Sequence, residues 1–352
     1  MSHSPHHPPE AKAPAKISLK RYRNMVIAFS VIIILLSATN VVLFIRVSRA
    51  ANLVKSQRLT SSPCSLAIIR LADAHDQYTR PLLLAESESE SEAFISLKAD
   101  IATFIEQAQN KGVVSSASVY VKDLNSGFWT SMYGNREYHP GSLMKLPLLM
   151  YYLKQEEIHP GILKKEFVYE KPPVGLPTQK YKGDSIIPGR KYPVAKLLRY
   201  MTGESDNNAT FVLSSHIDKD LYRQFFKDID MPCCDPEDFL YSVSPRQYSK
   251  FLRLLFNATF VNEELSEYGL RLLTQSSFRG GIVKGLPDGT VVAHKFGERG
   301  INDLMDFSES GIIYARNSPY ILTVMTRGNH VEKQAEFVSG ISAMIYKRMT
   351  GG

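Results

Sequence analysis

Ser142 and Lys145 stand three residues apart at the head of an apolar run, Leu146 to Leu153, directly after His139-Pro140-Gly141. Proline and glycine before such a run mark a helix start. Three residues is close to one helical turn, so the two side chains share a face and can meet. A serine hydroxyl becomes a useful nucleophile only with a base in hydrogen-bond reach. Lysine can be that base when burial or a nearby cation lowers its pKa. The helix N-terminus adds positive potential and backbone N–H groups for an oxyanion. The chemistry this arrangement suits is acyl transfer. Average residue usage yields about one Ser-x-x-Lys by chance in a chain of this length, so the pair does not stand alone as an argument.

Two further clusters follow in order. Ser205-Asp206-Asn207 lies 63 residues beyond Ser142, closing a helical stretch from Val194 to Thr202. Lys295-Phe296-Gly297 ends a strand-like run from Val291, where a lysine on an edge can face a substrate carboxylate.

Together the three clusters resemble the motif set of the class A β-lactamases and penicillin-binding enzymes. The likeness spans residues 93–350 and includes Lys122-Asp123-Leu124-Asn125-Ser126-Gly127, Gly203-Glu204-Ser205-Asp206-Asn207-Asn208-Ala209, Val243-Ser244-Pro245, Gly285-Leu286-Pro287-Asp288-Gly289 and Gly311-Ile312-Ile313-Tyr314. The resemblance implies an α+β fold, an antiparallel sheet flanked by helices with an all-helical subdomain. It implies that Ser142 attacks a β-lactam or peptidoglycan-like carbonyl and that Lys145 accepts the proton. Ser205 would pass a proton toward the leaving nitrogen, and Asn207 would hold the substrate's amide side chain. Lys295 would attract the substrate carboxylate and help keep Lys145 neutral. The backbone amides of Ser142 and Glu298, the latter following Gly297, would form the oxyanion hole, and Asp206 would order its loop.

Two departures from the family pattern bear on function. Phe296 replaces the usual Thr or Ser between Lys and Gly, removing a hydroxyl for the carboxylate; Arg299 stands close enough in sequence to substitute. The Glu-x-x-Leu-Asn context that activates the deacylating water in class A enzymes is missing. Its place is taken by Cys233-Cys234-Asp235-Pro236-Glu237-Asp238-Phe239-Leu240, with Glu237 the best stand-in. An acyl-enzyme without a placed water persists, which describes a penicillin-binding protein better than an efficient resistance enzyme. The leading expectation is a β-lactamase-type hydrolase of β-lactams or related amides. The alternative is a D-alanyl-D-alanine carboxypeptidase or slowly deacylating penicillin-binding protein, and a third class is a binder that kept the scaffold.

The elements that must position these residues are legible in outline. Phe94, Leu97, Ile101, Phe104 and Ile105 recur at helical spacing, and Ala117–Val121 and Phe128–Tyr133 read as strands about an Asn125-Ser126-Gly127 turn. A helical block from Ser142 to about Leu273 follows, interrupted by a loop-like stretch from Lys171 to Tyr192. Strands return at Val291–Lys295, Gly311–Ala315 and Tyr320–Met325, before a closing helix from Val331 to Met349. Strands from both ends with helices between make one α+β catalytic domain over residues 93–352.

What precedes it reads as an anchor. Met25 to Ile45 is a run of 21 residues without a charge, and about 20 suffice to cross the hydrocarbon core. A cleaved signal has an apolar region of about 7 to 15 residues and a small-x-small site, whereas Arg46 follows this run directly. Residues 1–24 are then a cytoplasmic tail, 25–45 a single-pass transmembrane helix, and 46–92 a stalk with a helical stretch at Ser65–Tyr78 and an acidic run, Ala85–Glu92. The catalytic domain is expected outside the cytoplasm, periplasmic or at the cell surface.

The net charge of +7 is not a nucleic-acid signature: five cations against Glu10 put +4 in the first 24 residues and leave +3 for the other 328. No basic face interleaved with aromatics occurs. The three cysteines, Cys64, Cys233 and Cys234, match no zinc spacing. The histidines show no ligand pattern, so neither metal nor cofactor is implied.

Overall fold

The computed structural model describes residues 66–70, 81–172, 180–181, 183–232, 241–301, 304–316 and 318–351. The apolar run 25–45, the three cysteines and Glu237 lie outside the described residues, and none of the described helices is long and apolar enough to cross a membrane.

In chain order the elements are β1 (Leu66–Arg70), β2 (Leu82–Ser87), α1 (Ile95–Asn110), β3 (Ser116–Asp123), β4 (Trp129–Met132), α2 (Lys145–Ile158), β5 (Glu166–Tyr169), β6 (Arg190–Pro193), α3 (Val194–Gly203), α4 (Asn207–Ser214), α5 (Lys219–Asp228), α6 (Pro245–Phe256), α7 (Glu263–Thr274), β7 (Val292–Ile301), β8 (Leu304–Ile313), β9 (Tyr320–Gly328) and α8 (Val331–Thr350). The main sheet is antiparallel in the order β4-β3-β9-β8-β7. Its strands come from both ends of the chain, as the α+β reading expects.

Alternation along the strands divides the apolar residues between two faces. On β9, Ile321 and Met325 join a core with α2, α3 and α6. Tyr320, Leu322 and Val324 join the other core, built on α1 and α8. The same alternation on β7 sends Ala293 to the helical-subdomain side and Val292 and Phe296 to the α1/α8 side. Lys295, in step with Ala293, therefore faces the helical subdomain.

Four sequence expectations are corrected. Leu66–Arg70 is a strand rather than part of a helix: its partner β2 supplies the ladder, with Leu66 opposite Ser87 and Ile68 opposite Ala85. Part of the expected stalk, β2, packs into the folded core. Within the supposed stalk, Leu83 and Leu84 are core residues, and Glu86 is buried among Tyr120, Lys122, Arg246 and Arg253. Finally, β7 runs on past Lys295 to Ile301, because its long ladder with β8 outweighs the poor strand propensity of Gly297 and Gly300. The Lys171–Tyr192 interruption also contains strand: β6 begins at Arg190 and pairs with β5.

Candidate active site

Three segments converge on one seam. Gly141–Met144 forms a single 3₁₀ turn that leads into α2, with Ser142 half-buried and Lys145 buried at the first α position. The turn is held from two sides. The His139 N–H donates to Asp306 Oδ2 (2.9 Å) on β8, and Tyr248 of α6 donates its hydroxyl to the Leu143 carbonyl (2.8 Å).

Edge strand β7 lies directly against this turn, and glycine makes the approach possible. A Cβ on Gly297 would collide with the Pro140 carbonyl oxygen and stand 2.6 Å from Leu143 N and 2.9 Å from Ser142 N. Gly141, at φ +52°, has the reciprocal contact: a Cβ there would meet the Glu298 carbonyl and lie 3.2 Å from Glu298 N. The backbones that carry the Ser142 and Glu298 amides thus meet at the same seam.

Ser205 sits between α3 and α4 in the left-handed region, φ +54°, a conformation that costs a non-glycine residue about 1–2 kcal/mol. Asp206 caps α4 by accepting from Asn208 N (3.0 Å) and Ala209 N (3.3 Å). It also accepts from Ser185 Oγ (2.8 Å) and Ile186 N (3.1 Å), so its part is to order the loop, as expected.

The side chains interlock across the seam. Lys145 Nζ donates to the Ser205 carbonyl, to Ser205 Oγ (3.1 Å) and to Asn207 Oδ1 (2.9 Å). Lys295 Nζ donates to the same Ser205 Oγ (3.0 Å) and to the Phe296 carbonyl (2.8 Å). Burial disfavours the charged lysine and pushes Lys145 down to about 7, against the opposing pull of Asp206 and Glu298. Burial, and then the charge of Lys145, push Lys295 well below its ordinary value. Two buried ammonium groups that share one hydroxyl disfavour each other's charged form, whichever of them is protonated.

Phe296 points to the α1/α8 side, stacked on Phe278 (centroids 4.2 Å) and met edge-on by Tyr181 (5.3 Å). Glu298 turns its Oε1 outward to accept the backbone N–H groups of Lys180 (2.5 Å) and Tyr181 (3.3 Å), and burial raises its pKa. Arg299 is half-buried on β7, across the ladder from Asp306. Ser142, Lys145, Ser205, Asn207, Lys295, Gly297 and Glu298 are therefore brought together, Arg299 lies further along the strand, and Glu237 falls outside the described residues. Sequence reasoning missed Tyr181 and Phe278, whose part depends on contacts across the fold and leaves no local pattern.

The model of the β-lactamase enzyme family matches residues 96–349, most of the chain and all of the seam. The chain belongs to that family. Its reaction class is accordingly serine hydrolysis of the β-lactamase type. Among solved structures, this β-lactamase-family chain is similar to PBP-A, at 19% identity and TM-score 0.58 over 72% of this chain and 97% of the other. It is similar also to a β-lactamase from Chitinophaga pinensis, at 16% identity and TM-score 0.62 over 71% and 99%. A PBP-A variant solved as an acyl-enzyme complex with penicillin G aligns at 19% identity and TM-score 0.57 over 72% and 98%. At these identities the likeness speaks for the fold. No curated protein matches the chain by sequence.

Proposed function

We propose that Ser142 is the nucleophile and Lys145 its base in a membrane-anchored hydrolase that acylates readily on β-lactams or related amides and deacylates slowly. The observation that carries this reading is the shared Ser205 hydroxyl, which links the two buried lysines beside the turn bearing Ser142.

In the acylation step Ser142 Oγ forms a bond to the carbonyl carbon as its proton passes to neutral Lys145 Nζ. An amine held near 7 is a neutral acceptor in a useful fraction of molecules at physiological pH. The oxyanion is received by the backbone amides of Ser142 and Glu298. The C–N bond then breaks and the proton reaches the leaving nitrogen through Ser205, leaving an ester on Ser142 and a free amine. Asn207, already bonded to Lys145, orients the base and meets the substrate's amide side chain.

Slow release rests on the missing Glu-x-x-Leu-Asn context. Glu237 is the candidate activator of water. The uncharged run from Met25 to Ile45 supports a single-pass anchor with the catalytic domain outside the cytoplasm.

A time course with a chromogenic cephalosporin supplied as its methyl ester tests the kinetic half: a burst of about one equivalent followed by slow turnover is expected, and fast linear turnover with no burst contradicts it. The second reading, a D-alanyl-D-alanine carboxypeptidase, shares the acylation step and is recognised by stoichiometric release of D-alanine from a peptide ending in that dipeptide.

A further inference from the structure

The cation that should greet a substrate carboxylate is out of reach. Lys295 is 0% exposed, its ammonium donates to Ser205 Oγ and the Phe296 carbonyl, and the Phe296 ring lies 4.2 Å from Nζ. Burial and the neighbouring Lys145 also favour its neutral form, which has little attraction for an anion.

The hydroxyl that would share the carboxylate is replaced by an apolar surface that is itself sealed. Phe296 is 1% exposed, stacked on Phe278, and covered at the strand edge by Tyr181, whose hydroxyl is fixed to Ser277 Oγ at 2.8 Å.

Among the described residues, carboxylates surround the two lysines: Asp206 and Glu298 act on Lys145, and Glu309 and Glu298 on Lys295. Glu298 Oε2 is buried with no hydrogen-bond partner among the described residues, and its charge reaches both Lys145 and Lys295. Glu204 Oε2 accepts from Ser277 nearby (2.8 Å). Lys180, an exposed cation at this edge, is set against Glu298. Among the described residues, a carboxylate entering here would lose water and meet a buried Lys295, an Arg299 already engaged further along β7, and Phe296 where a hydroxyl would stand, with Glu298 beside it as a like charge.

We infer that the site selects acyl donors carrying no carboxylate on the leaving-group side of the scissile bond: uncharged lactams, amides or esters. The inference rests on Ser142 acylation as proposed above and narrows its substrate class. In the step itself the Ser142 Oγ–C bond forms, the C–N or C–O bond breaks, and the serine proton ends on the leaving atom.

The test compares benzylpenicillin with its methyl ester on the full-length chain in mild detergent, following the adduct by intact mass over time. The ester is expected to acylate about ten- to a hundredfold faster, the worth of one hydrogen bond to a charged group. Phe296→Thr, which restores the hydroxyl, should shift the ratio toward the free acid by a similar factor. A free acid that acylates the unaltered chain as fast as the ester, or faster, overturns the selectivity and leaves Ser142 acylation standing. If neither compound forms an adduct, both claims fall.

Discussion

Lys145 and Lys295 donate to a single oxygen, Ser205 Oγ, at 3.1 and 3.0 Å. Two buried ammonium groups around one hydroxyl repel each other, so the arrangement favours loss of a proton from the pair. A hydroxyl also donates as well as accepts, which suits Ser205 to the relay proposed for the Ser142 proton.

The first prediction concerns pH. Lys145 works as a base only when neutral, and its pKa is held near 7. The second-order acylation rate should therefore fall about tenfold per unit as pH drops below that value, and level off above it. A profile measured from pH 5 to 9 that stays flat through 7 would remove Lys145 from the role.

Ser205 offers a way to separate chemistry from folding. Its backbone is left-handed, at φ +54°, so Ser205→Gly deletes the hydroxyl while relieving strain. Thermal unfolding should show unchanged or higher stability, with acylation slowed roughly 10²–10⁴-fold, the usual worth of proton transfer by a placed group. Normal acylation in a well-folded variant would dismiss the relay.

Gly297→Ala tests the seam. The added Cβ would collide with the Pro140 carbonyl and come within 2.6 Å of Leu143 N. It must push β7 away from the Ser142 turn, at a stability cost of about 1–3 kcal/mol. Acylation should be lost far out of proportion to that cost, as titration of reactive serine against folded fraction would show.

Much of this was legible in sequence, and the limits have physical causes. Ser142, Lys145, Ser205 and Lys295 could be named because short motifs fix their local geometry, and the order of strands and helices followed from hydrophobic period. Lysine ordinarily signals solvent, so the complete burial of Lys295 was not visible; it depends on a ladder with β8, on the Gly141–Met144 turn and α7 against β7, and on the Ser205 loop. Phe296 was recognised as a departure, yet its sealing by Tyr181 and Phe278 was not. The acidic run at residues 85–92 read as a solvated stalk because the charges that bury Glu86 come from Lys122, Arg246 and Arg253, far along the chain.

Glu86 carries the fourth prediction. Burial alone would raise its pKa, but Arg253 at 3.0 Å, the Tyr120 hydroxyl at 2.6 Å, Lys122 and Arg246 together hold it below 4.5. Its contribution to stability is thus present above that ordinary value and lost as pH falls through the lowered one. Glu86→Gln strands buried cations and should cost about 3–5 kcal/mol in urea unfolding at pH 7. The gap between variant and parent should narrow in acid, and an equal gap at pH 3 and pH 7 would contradict the assignment.

The most direct test of the account is peptide mapping of the full-length chain and its Ser142→Ala variant after reaction with benzylpenicillin methyl ester. The account predicts one lasting adduct, on the peptide containing Ser142, and none in the variant. An adduct that survives Ser142→Ala, or an unmodified Ser142 peptide in the parent chain, would contradict it.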